Sequence, residues 1–169
     1  DWEGKTIRLK LERPHWESVT WINGERVGTQ NSLATPHVYD VTKFVNPGAN
    51  TLAVRVDNRI KKVDPGHNSH SISDHTQSNW NGITGEIALM ATGKIYLKNI
   101  EIFPDVESKT AEIRAAVMNT FPEPKKADFS ALAVLKSTGE KLGKEKKQYT
   151  LAPGENIITM NYELGEDAL

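Results

Sequence analysis

The stretch that decides the fold is SVTWINGERVG, residues 18–28. Its first half alternates polar and apolar side chains as far as Ile22, which is the period of a strand with one buried face and one solvated face. Asn23 and Gly24 follow, and both residue types tolerate the positive φ of a tight hairpin turn. The stretch therefore predicts two antiparallel strands joined by a two-residue turn.

The same period of two recurs along most of the chain. Turn signals separate the alternating runs, among them Pro47-Gly48, Asn81-Gly82 and Pro153-Gly154. We find no stretch with a helical period and matching caps. The sequence therefore predicts an all-β fold, and short strands at this spacing favour sandwiches. The predicted strands are 6–11, 18–22, 51–56, 94–98, 112–117, 129–135, 148–151 and 156–162, with a further buried run at Ile83, Gly85, Ile87 and Leu89.

The composition excludes several classes of function. The net charge of the 169 residues is -1, so no global field attracts nucleic acid or an acidic membrane. There are no cysteines, which excludes disulfides and thiolate chemistry. Such a chain fits the cytosol and bacterial secretion equally well. Because it begins at Asp1 without a methionine, we read it as part of a longer polypeptide, whose expected location is periplasmic or secreted.

Two features divide the chain near Gly93. A stretch of more than twenty residues, from Asn58 to Asn81, has no strand pattern, and a loop of that length inside a compact domain is usually functional. All five histidines and all four tryptophans lie before Gly93, whereas residues 94–169 have a quieter pattern of short hairpins. We therefore predict a ligand-facing domain followed by a spacer domain.

The long loop contains the residues that could bind a metal, which are His67, His70, His75, Asp64 and Asp74. Imidazole and carboxylate groups are zinc ligands, but spacing on a loop does not fix their geometry. No Gly-x-Ser-x-Gly motif accompanies the serines, and the glutamates on predicted strands have the positions of ordinary outward-facing residues. We therefore predict no catalytic residue, no metal and no cofactor in this chain.

Carbohydrate contact suits the loop better. Residues 64–81 are rich in Asn, Gln, Asp and His, whose planar groups hydrogen-bond sugars, and Trp80 could supply an aromatic face for stacking. The alternative is that Trp80 packs into the core while the polar residues bond the loop to itself, which is the commoner fate of such a tryptophan. A core or near-core position is expected for Trp2, Trp16 and Trp21.

Four motifs in order resemble family 2 glycoside hydrolases. Residues 19–28 resemble the family's "v-W-v-N-G-x-x-v-G" hairpin, and residues 35–42 resemble "P-F-x-x-D-i-T", with His37 where phenylalanine is usual. Residues 47–56 are similar to "x-G-x-N-x-L-x-V-x-V", and residues 80–87 occupy the place of the closing strand "W-x-x-x-G-I-x-R-x-V". The residue types in these motifs also suit the turns that the motifs predict. Asp40, for example, has a side chain that can hydrogen-bond its own backbone.

The resemblance implies an architecture. Residues 1–93 would be the sugar-binding jelly-roll domain, lacking its first strands, and residues 94–169 an immunoglobulin-like sandwich lacking its last strands. In the family a TIM barrel with two catalytic glutamates follows, and here it would lie beyond residue 169. The chain is therefore expected to be a non-catalytic fragment of an enzyme that hydrolyses β-linked carbohydrates. A jelly roll without its first strands would expose an edge that pairs readily with another chain.

The resemblance also implies a role for the loop. In family 2 enzymes a loop of the first domain reaches toward the barrel's pocket, and the segment before the closing strand is a candidate for that role. The implied partners are a carbohydrate substrate, the barrel of the same polypeptide and a second copy of the chain. The alternatives left open are a stand-alone carbohydrate-binding module and a protein–protein interaction module. The candidate substrate-binding residues are Asp74, His75, Gln77, Asn79, Trp80 and Asn81.

Overall fold

The computed structural model describes residues 2–59 and 80–165. In these residues the regular structure consists of β-strands joined by turns, so the prediction of an all-β fold is confirmed. The contacts divide the chain into two compact units, Asp1–Thr92 and Gly93–Leu169. The described residues include no helix of the length and hydropathy that a bilayer span requires.

The first unit contains two three-stranded sheets and a short strand pair. One sheet has the order β5-β1-β8, the other has the order β4-β3-β6, and β2 pairs with β7. Between the two sheets lies a core formed by Leu9, Leu11, Ile22, Tyr39 and Val41. The strands are β1 (Thr6–Leu11), β2 (Pro14–His15), β3 (Glu17–Ile22), β4 (Glu25–Asn31), β5 (His37–Asp40), β6 (Leu52–Asp57), β7 (Gly82–Ile83) and β8 (Ile87–Thr92).

The hairpin β3–β4 has the predicted turn. Asn23 and Gly24 adopt φ values of 52° and 85°, the double left-handed conformation of the turn that best matches strand twist. The Asn23 side chain donates to the carbonyl of Phe44 at 2.9 Å and accepts from the backbone N–H of Thr51 at 2.9 Å. Asn23 therefore ties the hairpin to the connection that precedes β6.

Asp40 bonds its own backbone, as predicted. Its carboxylate accepts from the backbone N–H of Thr42 at 3.0 Å and from the hydroxyl of Thr42 at 2.6 Å. The hydroxyl oxygen of Thr42 in turn accepts from the backbone N–H of Ile7 at 2.9 Å. This chain of bonds fixes the end of β5 against the start of β1.

Two predictions of burial are wrong. Ile87 and Leu89 were expected on a buried strand, but their exposed fractions are 55% and 49%. Leu89 lies opposite the buried Leu9 on β1, so alternation assigned its face correctly. However, β8 is at the edge of its sheet, and the described residues do not cover that part of the core face. Trp2, expected near the core, is 43% exposed, whereas Trp16 and Trp21 are half-buried.

The second unit contains a three-stranded sheet with the order β13-β10-β9 and a two-stranded sheet of β11 and β12. Ala115, Val117 and Ile158 from the first sheet pack against Leu151 from the second. A cavity of about 400 Å³ lies between the sheets, with Phe129 in its wall. The strands are β9 (Ile95–Asp105), β10 (Thr110–Asn119), β11 (Lys125–Ala131), β12 (Glu145–Leu151) and β13 (Gly154–Glu163).

Candidate functional site

The candidate site lies where the predicted loop leaves and rejoins the first unit. Of the predicted substrate-binding residues, Trp80 and Asn81 are described, and Asn81 accepts a hydrogen bond from the side chain of Asn58. The two ends of the segment are thus joined side by side. The other predicted residues, Asp74, His75, Gln77 and Asn79, lie outside the described residues, as do the histidines and aspartates considered as metal ligands.

Trp80 is held by contacts with Arg13 and His15, which we call the Trp80 anchor. The indole N–H donates to the carbonyl of Arg13 at 3.2 Å. The carbonyl of Trp80 lies 2.5 Å from His15 Nδ1, and the two rings are 4.7 Å apart at 35°. Trp80 is half-buried and is not part of the hydrophobic core of this unit. The ring therefore packs against a buried histidine rather than between the sheets.

His15 reaches this position through the strand pair β2–β7. His15 lies opposite Gly82, two residues after Trp80, and it is only 2% exposed. A carbonyl oxygen can only accept, so Nδ1 is the donor in this contact. Sequence reasoning missed His15, because its partner is 65 residues away and nothing local marks the contact.

Two further polar atoms lie beside the anchor. His15 Nε2 and Trp16 Nε1 are buried, and neither has a hydrogen-bond partner within residues 2–59 and 80–165. Their rings are 6.0 Å apart. The indole N–H is a donor and an imidazole nitrogen can donate or accept, so the two atoms can hydrogen-bond hydroxyl groups. The described residues contain no group of three or more His, Asp or Glu side chains arranged to hold a metal.

A fixed ion pair marks the end of β6, where the chain leaves the sheet. Asp57 is 9% exposed, and its carboxylate accepts from Arg59 Nε at 3.0 Å and from Arg59 Nη2 at 2.7 Å. Hydrogen bonding to this carboxylate, together with its charge, raises the pKa of Arg59. Two parallel bonds of this kind orient the guanidinium as well as neutralise the carboxylate. Asp57 therefore fixes the orientation of Arg59, which is at the start of the predicted loop.

Gly85, two residues before β8, lets the chain approach Glu12 at the end of β1 closely. The Gly85 N–H donates to the carbonyl of Glu12 at 3.1 Å, and a Cβ at this position would lie 2.7 Å from the same oxygen. Only glycine fits this approach without displacing the neighbour. The sequence signal was present, since Gly85 stands in the closing-strand motif where the family usually has its arginine neighbourhood.

His37, which replaces the usual phenylalanine, lies in the interior of the first unit. It is 0% exposed, and burial lowers its pKa. Nε2 lies 3.1 Å from the backbone nitrogen of Ser32 and 3.0 Å from its carbonyl oxygen, and Nδ1 lies 2.6 Å from the Ser18 hydroxyl. That hydroxyl is 2.7 Å from the Tyr39 hydroxyl, which donates to the Ser18 carbonyl at 2.9 Å. The neutral ring is therefore fully hydrogen-bonded, so its role is structural.

Comparison with known proteins identifies the class. No protein-family model matches the chain. A β-galactosidase of Clostridium acetobutylicum is 30% identical over 97 residues, which are 56% of this chain and 10% of that enzyme. The structure of a Bacteroides uniformis β-glucuronidase matches with a TM-score of 0.78 and 25% identity, covering 95% of this chain and 20% of that one. The chain is homologous to a segment of bacterial β-glycosidases.

A further solved structure bears on the fold. A glycosyl hydrolase family 2 member from Bacteroides cellulosilyticus has the same fold, with a TM-score of 0.73, 20% identity and coverage of 97% of this chain and 22% of that one. Together with the curated β-galactosidase and the β-glucuronidase structure, this likeness confirms the resemblance to family 2 that the four motifs indicated. The chain spans 5% to 16% of the length of the curated relatives that it matches.

Proposed function

We propose that this chain is a non-catalytic part of a bacterial family 2 β-glycosidase, in which it supports the catalytic barrel and lends one loop to the substrate pocket. The fold similarity to β-glucuronidase structures over 95% of the chain supports the first half. By the family resemblance, the two catalytic glutamates belong to a barrel in another part of the polypeptide. The described part of the chain consists of β-sheets joined by turns.

The Trp80 anchor supports the second half of the proposal, that the chain lends a loop to the substrate pocket. A loop that shapes a pocket must hold its end residues in one position, because substrate contacts lose much of their value when they are misplaced by about 1 Å. The anchor holds Trp80 through its indole N–H, its carbonyl and its ring, and Asn58 holds the adjacent Asn81. The anchored end presents Asn81 beside the segment that contains the predicted Asp74, His75, Gln77 and Asn79.

A turnover assay tests the first half. We expect the purified 169-residue chain to release no p-nitrophenol from p-nitrophenyl β-glucuronide or β-galactoside, because the acid and the nucleophile are elsewhere. The longer polypeptide encoded by the same gene is expected to hydrolyse one of the two. Hydrolysis by the isolated chain would contradict the proposal. Tight binding of the isolated chain to a glycan array would instead favour the stand-alone carbohydrate-binding module.

A substitution tests the second half. In the longer enzyme, Asn81→Ala removes a planar amide at the anchored loop end, and we expect a rise in KM or a fall in kcat of roughly tenfold or more. Asn161→Ala on β13 is the matched control, since it removes the same group from an exposed position far along the chain from the loop. Equal kinetics for the two variants would show that the loop end does not contact substrate.

A further inference from the structure

Strand β9 exposes an unusually long apolar edge. It has 11 residues and lies at the edge of the sheet β13-β10-β9. Leu97, Ile100 and Ile102 lie opposite Val117, Ala115 and Ile113 on β10, which are core residues, so all three side chains are on the core face. Nevertheless their exposed fractions are 46%, 46% and 61%. A long edge with unpaired backbone groups and exposed apolar side chains is a template for pairing with another strand.

We propose that β9 pairs with β9 of a second copy, in an antiparallel dimer with its two-fold axis at Ile100. The pairing with β10 has a bulge at Lys98, since Leu97 lies opposite Val117 and Asn99 opposite Ala116. We leave the bulged residue Lys98 out of the pairing. Residues 95–104 of one copy can then pair with the same residues of a second copy, in the opposite direction. Leu97 then meets the partner's Ile102 on the core face, and Ile100 meets its own symmetry mate.

The opposite face of β9 is self-complementary too. Glu101 lies opposite the exposed Arg114, so it is on the outer face of the sheet, as are Tyr96 and Phe103 by the same register. In the proposed pairing Tyr96 meets the partner's Phe103, and aromatic cross-strand pairs are favourable. Every pair thus joins side chains of the same face. A shift of one residue would place apolar side chains opposite polar ones.

Charge favours a second copy over an unrelated strand. The Lys98 ammonium bonds Glu155, which is on the outer face of β13, so Lys98 points to the same face as Glu101. In the two-fold arrangement each Lys98 lies next to the partner's Glu101, which gives two opposite-charge contacts by symmetry. The other apolar edge, β8, has no charged residue between Ile87 and Thr92 to select such a register.

The first experiment is sedimentation equilibrium of the 169-residue chain over a range of concentrations. We expect a monomer–dimer equilibrium for the wild type. Ile100→Lys should weaken association by roughly a hundredfold, because it places two like charges at the axis. Ile157→Lys is the matched control, since Ile157 is 66% exposed but lies on the outer face of β13, and it should leave association unchanged. Circular dichroism checks that both variants remain folded.

The second experiment tests the register without relying on a core-facing residue. Lys98→Glu and Glu101→Lys should each weaken self-association by roughly tenfold, because each creates like-charge contacts. An equimolar mixture of the two variants should recover dimers, since the carboxylate introduced in one variant then meets the ammonium introduced in the other. Recovery supports the pairing whether or not the parent is a glycosidase. A wild-type monomer at all concentrations, or a mixture that fails to recover, overturns the proposal and leaves this face to another segment of a longer polypeptide.

Discussion

Replacing His37 with phenylalanine, the residue that the family motif has at this position, should remove a pH dependence from the stability of the first unit. His37 is fully buried as a neutral ring that accepts from Ser32 N–H and contacts the Ser18 hydroxyl. Burial lowers its pKa below the ordinary value. Protonation would place a charge in the core, and this cost outweighs the bond that a protonated Nε2 would donate to the Ser32 carbonyl.

The sign and the size follow from proton linkage. Because the folded pKa of His37 is lowered, the unfolded chain binds a proton more readily, so the stabilising contribution is complete above pH 6.5 and is lost as the pH falls below it. One proton gives a slope of at most about 1.4 kcal/mol per pH unit. Between about pH 7.5 and pH 5.5 the wild type should therefore lose up to about 1.4 kcal/mol more stability than His37→Phe. At about pH 7.5 the variant should be less stable by about 1–2 kcal/mol, from the lost hydrogen bonds.

Urea unfolding at about pH 7.5 and about pH 5.5, followed by tryptophan fluorescence, measures both quantities. All four tryptophans lie within Asp1–Thr92, so the signal reports the unit that contains His37. All other ionisable groups are the same in both proteins, so their contributions cancel in the comparison. If the two proteins lose the same free energy between these pH values, His37 is not the buried neutral group described above.

The remaining predictions concern close packing and buried hydroxyls. Gly85→Ala should destabilise the first unit by about 1–3 kcal/mol, because its Cβ would lie 2.7 Å from a backbone oxygen. Gly28→Ala is the control, since the nearest contact of its Cβ would be 3.5 Å, and it should lower the free energy of unfolding clearly less in the same urea titration. Tyr162→Phe should destabilise the second unit by about 1–3 kcal/mol, because the buried hydroxyl accepts from a backbone N–H at 3.0 Å and donates to a carbonyl at 2.8 Å. Tyr149→Phe, which removes a hydroxyl bonded to one carbonyl, should cost less when both are compared by circular dichroism, and equal losses would contradict this ranking.

Much of the fold was predictable because the signals are local. Alternation has a period of two whatever the strand packs against, so the positions of most strands could be inferred from single segments. The turn at Asn23 and Gly24 could be inferred for the same reason, since positive φ is a property of the residues themselves. Trp80 stood out as a candidate because it is a lone aromatic residue between a polar segment and a turn.

Only the tertiary structure decided what covers each face and which distant groups meet. Alternation placed Leu89 on the core face but could not show that β8 is an edge strand whose face stays exposed. Nothing local connects His15 with Trp80, because the contact depends on the pairing of β2 with β7 across 65 residues. The same holds for His37, whose pKa is lowered by burial and whose hydrogen-bond partner Ser18 is 19 residues away on the facing sheet. Side-chain periodicity is a property of one strand, whereas burial and hydrogen-bond partners are properties of the pairing between strands.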